Sequence, residues 1–287
     1  MKRIGIIGLD SSHSVELARY FNAGPGAGVG RVTVAWAGGS LDAPLSINRV
    51  AGFTKQVRDE FGVELAATPE EVAARSDALL LLAMDGRSHA DLFARIAPSR
   101  CPVFINKPLT TSVADAEAIA TTAARHGVRW FSASALRWAW PPGQVARSVS
   151  VSCPLWFEPA NAGWFWYGGH GVELMQTAMG PGIAAVRVDV QPECETLYAR
   201  WHDGREAEVV GVLKKDAPFS IAADGGTSQP IVVGMEPLSA AIAEFFSGAA
   251  APVGPAAMLE AVQVLAAANL SRTQGGVEIA LPGGTAV

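Results

Sequence analysis

Cysteine is scarce in this chain of 287 residues: Cys101, Cys153 and Cys194 are odd in number and lie far apart. They offer neither a disulfide framework nor the paired spacing of a zinc site, which points to a reducing, cytoplasmic setting and to no metal. Long apolar runs are missing too. Ile4 to Leu9 is too short for a signal h-region, and no stretch reaches the length of a membrane span. Nor is there an excess of positive charge: a net charge of -5, with charged residues at 17%, leaves no basic stripe for a phosphate backbone and argues against nucleic acid as a partner. Two local absences bear on a cofactor. The turn after the first apolar run, Gly8-Leu9-Asp10-Ser11-Ser12-His13, keeps one glycine of the three in a G-x-G-x-x-G template, and no acidic residue closes the second run.

What is present is a chain with 49% apolar residues, enough for a substantial core, and a length that suggests about two domains. In the first half, short β-branched runs alternate with helical spacing. Lys2 to Gly8 reads as a strand, and Val15, Leu17, Ala18 and Phe21 as the inner face of a helix. Arg31 to Ala37 is a second strand, left through Gly38-Gly39-Ser40. Helical segments follow at Val57 to Phe61 and Pro69 to Ala74, then a wholly apolar strand at Ala78 to Met84 and a helix at His89 to Ile96. Val103 to Asn106 is the next strand, Asp115 to His126 an Ala-rich helix closed by Gly127, and Val128 to Ser132 one more strand. This alternation implies an α/β domain with right-handed crossovers and a doubly wound parallel sheet, set here at residues 1–137.

Ligands of such sheets bind beyond the carboxyl ends of the strands, which directs attention to Lys107. Pro108 denies the chain a further ladder donor, so the strand stops there and its cation points at whatever fills the crevice; a solvated strand-end lysine is the alternative. The turn at Gly8 is the place for a dinucleotide pyrophosphate, on a helix N-terminus. Asp10 puts a side chain and a negative charge where backbone normally approaches phosphate. Ser11, Ser12 and Ser14 are donors there, and His13 supplies positive charge when protonated. The missing acid after the second strand tilts the cofactor expectation, NAD or NADP, toward NADP, with Ser40 and Arg49 to receive its 2′-phosphate. Asp85 and His89, at the same sheet edge, complete the candidate cofactor contacts, although capping the next helix is the plainer role for Asp85 or Ser88.

After Ser134-Ala135-Leu136-Arg137 the composition shifts to Trp138, Trp140, Pro141 and Pro142, so a second domain is expected over 138–287. Arg147 to Ser152, Val186 to Val190, Thr196 to Trp201, Ala207 to Leu213, Phe219 to Ala222 and Pro230 to Gly234 suit strands, and their hairpin turns imply a mainly antiparallel sheet in an α+β domain. One helix runs from Gly169 or His170 through Met179, ending at Gly180-Pro181. His170 and Glu173 lie three apart on it, on one face. The aromatic stretch Trp164 to Tyr167 and the glycines before His170 have the make-up of a substrate wall. A two-ligand His-x-x-Glu pair with no third residue is a poor metal site. Helices at Pro237 to Phe246 and Pro255 to Arg272 and a strand at Val277 to Leu281 close the chain, and the helices are free to pack back on the first domain.

This order of features resembles the Gfo/Idh/MocA family of nicotinamide-dependent oxidoreductases over nearly the whole chain. Phe104 to Leu109 is similar to the family's Glu-Lys-Pro motif with Asn106 in place of Glu, and Gly168 to Leu174 with Met179-Gly180 is similar to its Gly-x-His-x-x-Asp-Leu segment with Glu173 in place of Asp. The resemblance implies an N-terminal Rossmann-type domain, with Asn106 and Lys107 beside the nicotinamide. Lys107 and His170 are then the catalytic pair, with Trp166 and Glu173 around the substrate. Arg137 either joins them there from the strand that ends near Ser134 or braces the domain junction. The resemblance also implies hydride transfer between NAD or NADP and a sugar, cyclitol or similar polyol. The face of the second domain's sheet left over after helix packing is expected to be buried by another subunit, so a homo-oligomer is expected as well. Two other readings share the scaffold: redox-assisted lyase, epimerase or glycosidase chemistry with a retained cofactor, and a non-catalytic ligand-binding protein.

Overall fold

The computed structural model describes residues 1–232 and 234–282, and the chain falls into two compact units. The first unit comprises residues 1–110, 114–133 and 235–258. Its strands are β1 (Lys2–Ile7), β2 (Gly30–Trp36), β3 (Glu64–Leu65), β4 (Ala78–Leu81), β5 (Val103–Ile105) and β6 (Trp130–Ser132). Among the described residues they form one parallel sheet in the order β3-β2-β1-β4-β5-β6. β4 and β5 are buried at every position, as strands covered on both faces must be. Between the strands run α1 (Ser12–Ala23), α2 (Pro44–Phe61), α3 (Pro69–Ala74), α4 (His89–Ile96) and α5 (Val113–His126).

One feature of this unit exceeds the sequence expectation. The helix ending at Phe61 begins at Pro44, because Pro44 takes the first helical position, where its missing N–H costs nothing. The unit also recruits a late segment, α7 (Glu236–Phe246): Phe245 meets Phe131 edge-on at 5.0 Å between ring centroids, and Phe246 stacks on Phe21 at 6.1 Å.

The second unit comprises residues 111–113, 134–234 and 259–287, less those not described. Its strands are β7 (Ser148–Pro154), β8 (Ile183–Val190), β9 (Cys194–Trp201), β10 (Glu206–Val212), β11 (Phe219–Ala223), β12 (Gln229–Ile231) and β13 (Ile279–Ala280). They form one sheet in the order β12-β11-β7-β10-β9-β8-β13. Part of the strand expected at 230–234 lies outside the described residues. All pairings are antiparallel except β7 with β10, at the centre. The hairpin turns did not reveal this pair: β7 leaves the sheet through α6 (Gly168–Met179), and the meander β8-β9-β10 then carries β10 back beside it. The last helix, α8, is Pro255–Thr273.

Candidate functional site

Two constellations carry chemistry, one in each unit. In the first, Gly8 leaves β1 with φ +94°, and a Cβ there would lie 2.5 Å from the backbone N of Ala83, so only glycine lets the exits of β1 and β4 approach. Asp10 is fully buried and turned into the protein. Its carboxyl takes the Met84 N–H at 3.0 Å and meets the Ser46 hydroxyl at 2.6 Å, while Ser46 Oγ accepts the Ser40 N–H at 2.8 Å. Burial pushes the Asp10 pKa up, against these hydrogen bonds. Ser11 caps α1 by accepting the His13 N–H, and Ser14 donates back to the Ser11 carbonyl at 2.7 Å. Ser12 is exposed at the start of α1, whose first turn holds no acidic residue.

His13 and Lys107 are joined through Asn106. Asn106 Oδ1 accepts the Lys107 N–H at 2.9 Å, so the amide oxygen faces that way, and His13 Nδ1, 2.8 Å from the same oxygen, donates to it. Burial lowers the His13 pKa to about 4, with the Asn106 bond opposing and the charge of Lys107 adding to the effect. His13 is therefore neutral near pH 7, which corrects the expectation of a positive imidazole at the phosphate turn. Lys107 itself is 9% exposed, and its bond to Pro108 is cis. His89 is also corrected. It is fully buried, with Nδ1 2.9 Å from the Leu109 carbonyl and Nε2 2.8 Å from that of Ala83, so it pins the Lys107 loop to the β4 exit and presents no atom to a cofactor.

In the second unit, α6 starts with three glycines about His170. Gly171 needs to be glycine for contact: a Cβ there would lie 2.6 Å from Val209 Cγ1 on β10 and 2.9 Å from Cys153 Sγ on β7. The close seating fixes the height of His170 over the sheet. His170 Nδ1 is 2.6 Å from Ser134 Oγ, which accepts the Leu136 N–H at 3.1 Å. Glu173 accepts the Ser134 N–H at 2.8 Å and pairs with Arg137 Nε at 2.7 Å, both side chains nearly buried. Arg137 spends its other nitrogens on Thr177 at 3.1 Å and Gln176 at 2.6 Å. Two aromatic rings lie edge-on to His170, Tyr167 at 5.5 Å and Phe219 at 5.8 Å, and Tyr167 continues into Trp166 and Trp156.

Residues 2–134, the span of the sheet and phosphate turn just described, match the oxidoreductase family with an NAD-binding Rossmann fold. The matching model is that of the Gfo/Idh/MocA family. Nearly the whole chain is also similar in structure to solved dehydrogenases. One is myo-inositol dehydrogenase from Lactobacillus casei in complex with NAD(H) and myo-inositol, at 12% identity and a TM-score of 0.73, covering 99% of this chain and 98% of that one. Another is the WlbA dehydrogenase from Bordetella pertussis in complex with NADH and UDP-GlcNAcA, at 15% identity and a TM-score of 0.71, covering 98% of each chain. At these identities the likeness is one of fold. None of the curated proteins matches the chain in sequence.

The Gfo/Idh/MocA segment fits a dinucleotide despite its altered turn. Gly8 keeps the close approach, Asp10 points inward, and Ser12 stands at an open helix start with no carboxylate in its first turn. Of the sequence-selected residues in this segment, the structure joins Ser11, His13, Asn106 and Lys107 in one network and Asp10 with Ser40 in a second. Asp85 is nearly buried against Arg87, and Arg49, half-exposed on α2, has no ion-pair partner among the described residues. Sequence reasoning missed Ser46, Asp42 and the role of Arg87, whose only local sign is the Asp85-Gly86-Arg87 turn. In the second unit it missed Ser134 as the partner of His170. Among the described residues no group of three or more His, Cys, Asp or Glu could hold a metal ion, and no helix is long and apolar enough to cross a membrane.

Proposed function

We propose that the chain is an NAD(P)-dependent dehydrogenase acting on a CH–OH group of a sugar, cyclitol or similar polyol, and that it works as a homo-oligomer. The observation that carries this reading is the Ser134–His170 contact at 2.6 Å. It holds Nδ1, so that proton exchange with a substrate hydroxyl falls to Nε2, and an imidazole titrates in the range that exchange requires. His170 acts as acid/base. Lys107, nearly buried just past the end of β5, is the second catalytic residue, its cation suited to stabilising developing alkoxide charge. The nicotinamide, when bound, takes up or returns the hydride. Tyr167 and Phe219 exclude water and offer flat apolar surface to the C–H face of a ring. Arg137 and Glu173 neutralise each other beside this histidine, which suits an uncharged substrate. The similar protein solved with NAD(H) and myo-inositol supports the same substrate class.

The test begins with calorimetric titration of the nucleotide-free protein with NAD and NADH, followed by a polyol and sugar panel read at the NADH absorbance. Binding and turnover are expected, with kcat falling by about 10²-fold or more in both Lys107→Met and His170→Ala. Unchanged turnover in both variants would show the residue assignment to be wrong. Substrate conversion without accumulating NADH would replace net oxidation by redox-neutral chemistry with a retained cofactor.

A further inference from the structure

Arg87 lies between two carboxylates that reach it from different loops. Its Nε and Nη2 donate to the two oxygens of Asp85 at 2.9 and 2.7 Å, and its Nη1 and Nη2 donate to the two oxygens of Asp42 at 2.9 and 3.0 Å. The Asp85 side chain is 3% exposed and that of Asp42 70%. Burial raises the Asp85 pKa, but Arg87 and the Ser40 hydroxyl outweigh it and hold the carboxylate ionised. The guanidinium edges are thus occupied, and the cluster carries two negative charges against one positive. The inner carboxylate anchors the arginine, and the arginine holds the outer one toward solvent.

The place of this cluster gives it a role. Gly8 N donates to the Trp36 carbonyl at 2.9 Å and Leu9 N to that of Ala37 at 2.7 Å, and Asp10 reaches the Asp42 loop through Ser46. The loop after β2 is therefore tied to the turn that receives the dinucleotide phosphates. In this topology the chain beyond the second strand faces the adenosine ribose. An acid is present there after all, later in the loop than the strand-end position. Ser40, the expected phosphate ligand, is engaged by Asp85 and Ser46.

Resting on the dinucleotide reading above, we propose that Asp42, held in place by Arg87, makes this site select NAD over NADP. A carboxylate has about four lone-pair sites, and Arg87 takes two from Asp42, so acceptors are left for a ribose 2′-hydroxyl. A 2′-phosphate meets net negative charge and an arginine whose donors are already committed. Removing the outer carboxylate reverses both conditions: Arg87 gains free Nη donors and the cluster becomes neutral.

The experiment is calorimetric titration of the full chain with NADH and NADPH, for the wild type and for Asp42→Ser, Asp42→Asn and Arg49→Ala. The wild type is expected to bind NADH at least about tenfold more tightly than NADPH, and Asp42→Ser to shift the affinity ratio toward NADPH by about tenfold or more. Asp42→Asn, which keeps the size and removes the charge, shifts it in the same direction. A ratio that moves in Arg49→Ala and in neither Asp42 variant overturns the proposal, because the cation that decides would then not be Arg87. Wild-type NADPH binding as tight as NADH, or a ratio unmoved in both Asp42 variants, overturns the proposal while leaving the dinucleotide reading intact. Failure of both dinucleotides to bind the wild type overturns that reading and the proposal together.

Discussion

Asp10 and His13 stand side by side in the phosphate turn and carry opposite pH linkages. Burial lowers the His13 pKa from 6.5 to about 4, so the stability from keeping the ring neutral is full above 6.5 and is lost as pH falls toward 4. Asp10 has its pKa raised, so the stability from the protonated carboxyl is present below its ordinary 3.8 and is lost as pH rises through the raised value. In urea unfolding at pH 8, 6 and 4, His13→Gln is expected to lose less stability than the wild type on acidification, and Asp10→Asn to lose less on going from acid to pH 8. An Asp10→Asn curve parallel to the wild type would show that this carboxyl does not titrate between folded and unfolded states. Ser134 belongs at the same scale. Ser134→Ala removes the partner of His170 Nδ1, and a misplaced acid/base is expected to lower kcat by about 10- to 100-fold with little change in KM. Recovery in Ser134→Thr, and a changed ¹⁵N shift of the His170 ring in Ser134→Ala, separate positioning from general loss of structure.

Among the elements, α6 shows how a motif can be legible while its reason is not. The run Gly168-Gly169-His170-Gly171 has the look of a flexible wall, yet all four residues are helical. The glycines are there because the helix sits against Trp164, β7 and β10: a Cβ at 168 would lie 2.6 Å from the Trp164 ring, and one at 171 would meet Val209 and Cys153. Gly171→Val is expected to destabilise the protein by about 1–3 kcal/mol through overpacking, measured by urea unfolding, and to lower turnover further by lifting His170. Stability and turnover equal to the wild type would mean that α6 has room to shift. β5 is the opposite case. Three buried apolar residues followed by Asn-Lys-Pro locate both the strand and the lysine from local chemistry alone.

For the whole molecule, the sheet of the second unit presents a face of mixed charge: Arg187 on β8 and Arg200 on β9 toward one side, Glu206 and Glu208 on β10 and Asp224 just past β11 toward the other. Arg200 is already paired with Glu278 at 2.7 Å, so in a two-fold dimer through this face Arg187 is the cation left to meet the partner's acidic side. We expect a homo-oligomer by light scattering, and Ser150→Arg, on β7 within that face, to reduce it to a smaller species; an unchanged mass in Ser150→Arg would exclude this face. The strand and helix alternation of the first half, Lys107 at a strand end and His170 at a helix start were all readable from the sequence, because hydrophobic period, Pro and Gly act over a few residues. Whether Asp10 opposes a phosphate, whether His13 is charged, what orients His170 and which acid lies beyond β2 were decided only by the tertiary structure. Each depends on burial or on a partner dozens of residues away, as with His13 and Asn106, Asp10 and Met84, Ser134 and His170, or Asp42 and Arg87. A desolvation cost or an ion pair has no magnitude until folding has set the distance.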